Sequence, residues 1–321
     1  MMIDYQAEEK FYSNKFYFSY SSINKLLYAP SLFYKSYVLK EWEDKTDLHL
    51  IEGRLLHCLL LDNNAFDSQF ILTPSTLPSG SIRTVIDNVY KRSLLNSSVE
   101  LSLEEQRDTV LTVMEEVNFY QKLKTDAQRL EKVINQDTIS YYSFLKLKNG
   151  KDLVDEETYF RVKEYAEIIK NNKSAYDLLE GNDDSQKLSE LKLSSDLVDY
   201  EFGIKGIIDR LSFNNFSCRI IDLKTTSKTL SEFKDTVEFY NYWLQAAIYN
   251  TLVKNNYPVD NIEFGFLVID KYKQVYYFQV SDDTMKEWLS RLESKLNTVS
   301  YHYNSRNYTL PYDFCKGLVK L

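Results

Sequence analysis

Apolar and polar positions along the chain alternate between two periods. Ile51, Leu55, Leu56, Leu59 and Leu60 fall at helical spacing, which predicts a buried helix through "HLIEGRLLHCLLLDNNAF". Ahead of it, "FYFSYSSINKLLYAPSLFYKSYVL" predicts a short helix capped by Ser21 or Ser22 and ended or restarted at Pro30. Residues 74–88, with two prolines and a glycine, read as a connector, and 85–135 as polar and mostly helical. "TISYYSFLKLK" reads as a strand followed by a turn at Asn149 and Gly150. "DEETYFRVKEYAEIIKNNKSAYDLLEG" predicts one helix, acidic in its first turn and with Gly181 near its end.

Period-2 segments then take over. Strands are expected at about 187–193, 200–213 and 218–225, followed by a largely helical "TLSEFKDTVEFYNYWLQAAIYNTLVKNN". "NIEFGFLVID" and "QVYYFQV" predict a further hairpin, and "DDTMKEWLSRLESKLNTV" a last helix. Strands lying between helices on both sides predict an α/β core.

Composition narrows the class. A chain of 321 residues suits one large domain with insertions or two small ones, and 44% apolar residues are ample for a packed interior. The formal charge of −8 argues against a protein that coats nucleic acid without selectivity, which needs clustered Lys and Arg. It leaves room for an enzyme that leads DNA through a local basic groove into an acidic metal site. Cys58, Cys218 and Cys315 show no close pairing, so neither a disulfide framework nor a four-cysteine zinc or iron–sulfur site is expected. That usage reads as a reduced, intracellular protein. The first residues lack the features of a signal peptide, and "LLHCLLL" is too short to span a bilayer, so a soluble cytoplasmic protein with no membrane partner is expected.

The candidate chemistry lies in "GIKGIIDRLSFNNFSCRIIDLKTT". With residues 214–217 as a hairpin loop, Phe213 faces Cys218, and counting back sets Asp209 opposite Asp222. Two facing carboxylates repel, and burying them unanswered costs several kcal/mol, on the order of the desolvation penalty for a charge. A divalent cation held by oxygen ligands answers them economically. Alternation puts Lys224 on the same face as Asp222, where an ammonium can meet a phosphate oxygen, while Leu223 points into the apolar layer with its carbonyl able to turn to the cation. The bland alternative, that Asp209 pairs with Arg210 or a nearby lysine at a strand end, stands open on the hairpin alone. The acid-x-Lys pattern is itself common, recurring for instance at Glu8, Glu43, Glu190 and Glu293. Of these, Glu190-x-Lys192 reads as structural, for want of a facing carboxylate. Gln245 and Tyr249 fall at i and i+4 on one helix face soon after "IIDLKTT".

Taken in order, "SSINKLLYAPSLFYKSYV", "EGRLLHCLLL", "KGIIDRL", "IIDLKTT" and "YWLQAAIY" resemble the PD-(D/E)xK nuclease superfamily. The branch they resemble is the RecB-like one, and within it the phage-type exodeoxyribonuclease VIII (RecE) group. The matching stretches cover most of residues 19–253; 75–135 and 285–321 carry no family motif. The resemblance implies one nuclease domain over 1–321, with its motif-bearing core at about 19–280, a helical insertion at about 85–135 and a C-terminal helix and tail over 281–321. Its fold would be restriction-endonuclease-like: a mixed central β-sheet flanked by helices.

Position by position, the resemblance implies that His57, Asp209, Asp222 and the Leu223 carbonyl are metal ligands, with Asp209, Asp222 and Lys224 catalytic. Gln245 and Tyr249 would line the DNA path, and Glu190 would be an accessory acid. On the residues alone, His57 reads as a satisfied core histidine. The implied activity is Mg²⁺-dependent (or Mn²⁺-dependent) exonuclease hydrolysis of linear double-stranded DNA, 5′→3′, in recombination, without an iron–sulfur cluster. A single-strand annealing protein and further copies of the chain are the implied partners. Two alternatives stay open: a single-strand or flap nuclease of the same fold, and a non-catalytic DNA-end-binding protein.

Overall fold

The computed structural model describes residues 5–41, 48–120, 122–180, 186–214 and 217–317. It divides the chain into two units, one of residues 1–53, 60–62 and 165–321, the other of 54–59 and 63–164.

The first unit is built on a six-stranded sheet. Its strands are β1 (Tyr17–Phe18), β4 (Gln186–Asp196), β5 (Gly203–Asn214), β6 (Ser217–Thr226), β7 (Asn261–Asp270) and β8 (Val275–Val280). The order is β1-β5-β6-β7-β8, with β4 also paired to β5. The β4–β5, β5–β6 and β7–β8 pairs are antiparallel; β1–β5 and β6–β7 are parallel, so the sheet is mixed. Ile220, Ile221, Asp222 and Leu223 are buried in succession on β6, the mark of a strand covered on both faces.

Parallel strands need a crossover. Between β6 and β7 it is supplied by the helices Phe233–Phe239 and Tyr242–Asn256. The second helix buries Leu244, Ala246, Ala247, Ile248, Leu252 and Val253 almost all the way round, as a helix inside a core does. The long helix Asp282–Ser305 adds Met285, Trp288, Leu292, Leu296, Val299 and Tyr303 to the same core at three- and four-residue spacing. Residues 285–305 therefore serve the core of this unit.

The second unit holds its own core. Val85, Ile86, Val89, Val110, Val113, Met114, Val133, Tyr141, Tyr142 and Leu145 gather from four helices, Gly80–Leu95, Arg107–Glu116, Asp126–Val133 and Gln136–Leu147. A two-stranded parallel sheet pairs β2 (Phe70–Leu72) with β3 (Asp152–Val154).

Several local expectations are corrected. The run "TISYYSFLKLK" is helical, not a strand: Asn135 and Thr138 form a capping box, and Thr138, Tyr141, Tyr142 and Leu145 are buried at helical spacing. The tyrosines and isoleucine suggested a strand, but burial follows the 3.6 period. The turn at Asn149 and Gly150 holds, with Gly150 at φ +74°. The connector of 74–88 gives way to a helix at Gly80. The helix Tyr20–Tyr28 is capped by Ser19 rather than Ser21 or Ser22, while Pro30 restarts a helical turn as expected. The predicted helix of 155–181 is two, Glu156–Asn171 and Lys173–Glu180, and Gly181 lies outside the described residues. Among the described residues, no helix is long and apolar enough to cross a membrane.

Candidate active site

Three carboxylates fall in one row across β4, β5 and β6. Ser189 pairs with Arg210 and Leu191 with Ile208, so Glu190 stands opposite Asp209, yet that step of the ladder is not formed. On the other edge of β5 the pairing runs from Asn214↔Ser217 to Arg210↔Ile221 and stops one step short of Asp209 and Asp222. The register is the one counted from the sequence, but the direct Asp209–Asp222 pair is replaced by a parting of the strands. Asp209 Oδ2 instead accepts a hydrogen bond from the Leu223 amide at 2.8 Å. A charged carboxylate that takes a backbone N–H is stabilised more than a carbonyl taking it would be, which favours an opening here. Glu190 adopts φ +48°, a left-handed conformation that costs a non-glycine residue roughly 1–2 kcal/mol. It brings a carboxylate oxygen within 4.8 Å of one on Asp209. The expectation that Glu190 lacks a facing carboxylate is thus corrected. The β4–β5 register was not legible, because the connecting segment gives no turn signature that fixes it. Lys192, its acid-x-Lys partner in sequence, is exposed.

Asp222 is fully buried. Its Oδ1 accepts from Gln245 Nε2 at 2.8 Å, and Gln245 Nε2 also donates to the Tyr249 hydroxyl at 2.9 Å. The crossover places them there: a helix packed on the sheet turns the i, i+4 pair towards the strand it has just left. Room for the Tyr249 ring comes from Gly206 on β5, where a Cβ would sit 2.7 Å from Tyr249 Cε1. Burial, with Asp209 and Asp222 close by, pushes the Tyr249 hydroxyl well above its ordinary pKa, so it stays protonated.

Lys224 Nζ meets Asp222 Oδ2 as an ion pair and lies 4.8 Å from the centre of the Tyr242 ring. Burial alone would lower the Lys224 pKa, but Asp222 and Asp209 together outweigh it and hold the value above that of a free lysine. Tyr242, first residue of the crossover helix, and Tyr20, whose hydroxyl donates to the Tyr240 carbonyl, both feel the Asp222 charge. The sequence reading missed these two tyrosines; Tyr242 could have been found three residues before Gln245, on the same helix face.

The bland alternative for Asp209 fails on the side of Arg210. That guanidinium is engaged elsewhere, donating to the Leu179 carbonyl at 2.6 Å, Ser189 Oγ at 2.6 Å and Glu180 Oε1 at 2.8 Å. Leu223 is buried in the apolar layer as expected. His57 lies half-buried on the helix Leu48–Leu61, whose Ile51, Leu55, Leu56 and Leu59 are buried as the spacing predicted.

The residues fit a hard cation. Glu190, Asp209 and Asp222 are oxygen donors in one row, formally three negative charges against the one ammonium of Lys224. Among the described residues no group gives Asp222 Oδ2 an ordinary hydrogen bond, and only the ion pair with Lys224 meets that buried oxygen. A divalent cation would balance the remaining charge.

Comparison with known proteins agrees with this geometry. The family model of the PD-(D/E)XK nuclease superfamily matches residues 17–316. A crystal structure named "Putative exonuclease", from Eubacterium rectale, is similar over 100% of this chain and 95% of its own, with a TM-score of 0.50 and 14% identity, which speaks for the fold alone. The structure of SSO0001 covers 76% of this chain and 86% of its own at 11% identity; its TM-score of 0.25 carries no argument. No curated protein matches. The match along nearly the whole chain, over a mixed sheet with its acidic row and lysine, shows that this protein belongs to the PD-(D/E)XK nuclease superfamily.

Proposed function

We propose that the protein is a Mg²⁺-dependent DNA exonuclease, digesting linear double-stranded DNA 5′→3′, as the RecE-like resemblance of its motifs implies. The observation that carries the reading is the interrupted row of Glu190, Asp209 and Asp222, with Lys224 and Gln245 on Asp222. Asp209, Asp222 and the Leu223 carbonyl would hold the metal, with Glu190 beside them. The resemblance of the motifs would add His57 as a nitrogen donor. Carboxylate and carbonyl oxygens suit Mg²⁺ and Mn²⁺ alike. A bound divalent cation supplies Lewis-acid polarisation of the phosphate and a water of lowered pKa.

The chain's own groups do the rest. Lys224, held protonated by its acidic neighbours, orients the attacking water and offsets charge growing on the phosphate oxygens. Gln245 fixes the Asp222 carboxylate, and Tyr249 fixes Gln245, so this pair is given a positioning role beside its place along the DNA path. A single-strand annealing protein would take up the strand left behind, and further copies of the chain would keep the enzyme on its track.

The test is digestion of linear and covalently closed circular DNA with Mg²⁺, with and without chelator, using 5′- and 3′-labelled ends. Linear DNA should be degraded with early release of the 5′ label, circles should persist, and chelator should stop the reaction. No cleavage with Mg²⁺ or Mn²⁺ rejects the enzyme. Equal cutting of circles rejects the exonuclease, and early release of the 3′ label rejects the polarity. A stable monomer in light scattering at micromolar concentration rejects the oligomer.

A further inference from the structure

A run of aromatic rings leads from the surface to Lys224. Phe239, the last residue of the helix Phe233–Phe239, is 74% exposed, and Tyr240, which caps that helix, 46%. Phe239 and Tyr240 meet edge-on, with ring centres 4.9 Å apart at 88°, Tyr240 stacks on Tyr242 at 5.6 Å and 25°, and Tyr242 carries Lys224 over its ring at 4.8 Å. Large apolar side chains rarely gather on a surface without a use.

These rings are held in place rather than left loose. Asn241 between them takes a left-handed conformation, φ 56° and ψ 38°, at a cost of roughly 1–2 kcal/mol. Its side chain donates to Asn24 Oδ1 at 2.7 Å and accepts from Trp243 Nε1 at 3.1 Å, while Tyr20 holds the Tyr240 carbonyl. Strain kept by three separate contacts fixes the direction in which Tyr240 and Tyr242 present their faces.

Charge at the patch fits an anionic occupant. Lys228 Nζ lies 5.6 Å from the Phe239 ring centre, and at the inner end Lys224, ion-paired with Asp222, stands beside the acidic row whose charge a bound cation would balance. Of the three acids over residues 232–238, two are already answered, Glu238 by both arms of Arg291, at 2.8 and 3.0 Å, and Glu232 by Thr229, while Asp235 is exposed. Rings flanked by cations are what a phosphate-linked chain of unpaired bases requires, since each base stacks and each linkage carries charge. A paired duplex, whose base faces are already stacked, offers nothing to these rings.

We propose that Phe239 and Tyr240 form a stacking platform for unpaired bases, which positions the end of a single strand beside Lys224. The inference rests on the nuclease reading and deepens it: the duplex end must open before the strand reaches the site.

The platform is tested by binding, separately from cleavage. The cleavage-deficient Asp222→Asn protein, without Mg²⁺, is titrated with a duplex bearing a single-stranded 5′ tail that carries 2-aminopurine. Stacking should quench the probe. Adding Phe239→Ala and Tyr240→Ala should remove the quench and weaken tail binding about 5- to 150-fold per lost stack, with the salt dependence unchanged. Phe239→Trp should keep both. Binding within twofold and an unchanged quench in the alanine variant overturn the proposal, as does a Trp variant as weak as alanine. Loss of an oligomer with the quench intact also overturns it, assigning the face to a second copy of the chain. A wild-type protein that cleaves no DNA yet shows the quench refutes the nuclease reading and not the platform. Cleavage that survives the alanine variants with an unchanged quench refutes the platform and not the nuclease.

Discussion

Two buried aspartates sit on neighbouring parallel strands, and their surroundings differ in kind. Asp270 closes β7, and its Oδ1 accepts from the amides of Tyr272 and Gln274 at 2.8 and 2.9 Å. Those donors belong to the turn it shapes, so its charge is answered locally and its work is structural. Asp222, on β6, is as deeply buried but is met by side chains, Gln245 from the crossover helix and Lys224 from its own strand, while it shares its row with Asp209 and Glu190. Burial alone marks neither as a site. What separates them is that the fold sets two further carboxylates in the row of Asp222.

That contrast can be broken most sharply by removing each charge in turn. Asp222→Asn should reduce cleavage by about 10²–10³-fold or more, the scale of losing one preorganised electrostatic group, with an unchanged circular dichroism spectrum. Asp270→Asn should leave cleavage intact and instead lower the unfolding free energy by about 1–3 kcal/mol, read from urea melts, as amides of the turn lose a charged acceptor. Equal losses of activity in the two variants would erase the distinction.

A smaller effect probes how the site is supported. Gly206→Ala sets a methyl against the Tyr249 ring and should cost about 1–3 kcal/mol of stability. It should also lower activity by shifting Gln245 from Asp222. Retained activity with lost stability would show that Tyr249 fills space without positioning Gln245.

The mildest prediction concerns His302, buried far along the last long helix, where Nδ1 meets the Asn307 carbonyl at 2.5 Å and Lys295 and Asp313 line the same cavity. Burial lowers its pKa below the ordinary histidine value of about 6.5. A depressed value means that its stabilisation is present above about pH 6.5 and fades as pH falls through the folded pKa, by at most about 1.4 kcal/mol per pH unit. Urea melts between pH 7.5 and 5.5 should show the decline, and His302→Gln should flatten it.

Much of this site could be read in the linear chain. Asp209, Asp222 and Lys224 stood out because charge interrupts β-branched runs, and the short loop at 214–217 fixed the β5–β6 register. Gln245 and Tyr249 were visible as an i, i+4 pair soon after "IIDLKTT". Glu190 was harder: its partnership with Asp209 depends on a register that residues 197–202 do not announce. "TISYYSFLKLK" was misread because aromatic and β-branched residues fill helices when the surrounding helices bury their 3.6-period face.

By itself, the sequence determined the periods of the core segments, the hairpin register and the identity of the carboxylates and the lysine, since these are set by local alternation and by the rarity of charge in buried runs. Only the tertiary structure decided the row of three acids, the opening of the ladder at Asp209 and the aromatic run ending at Lys224. Those depend on strands and helices far apart in the chain, whose meeting is fixed by packing the shared core and not by any neighbour in sequence.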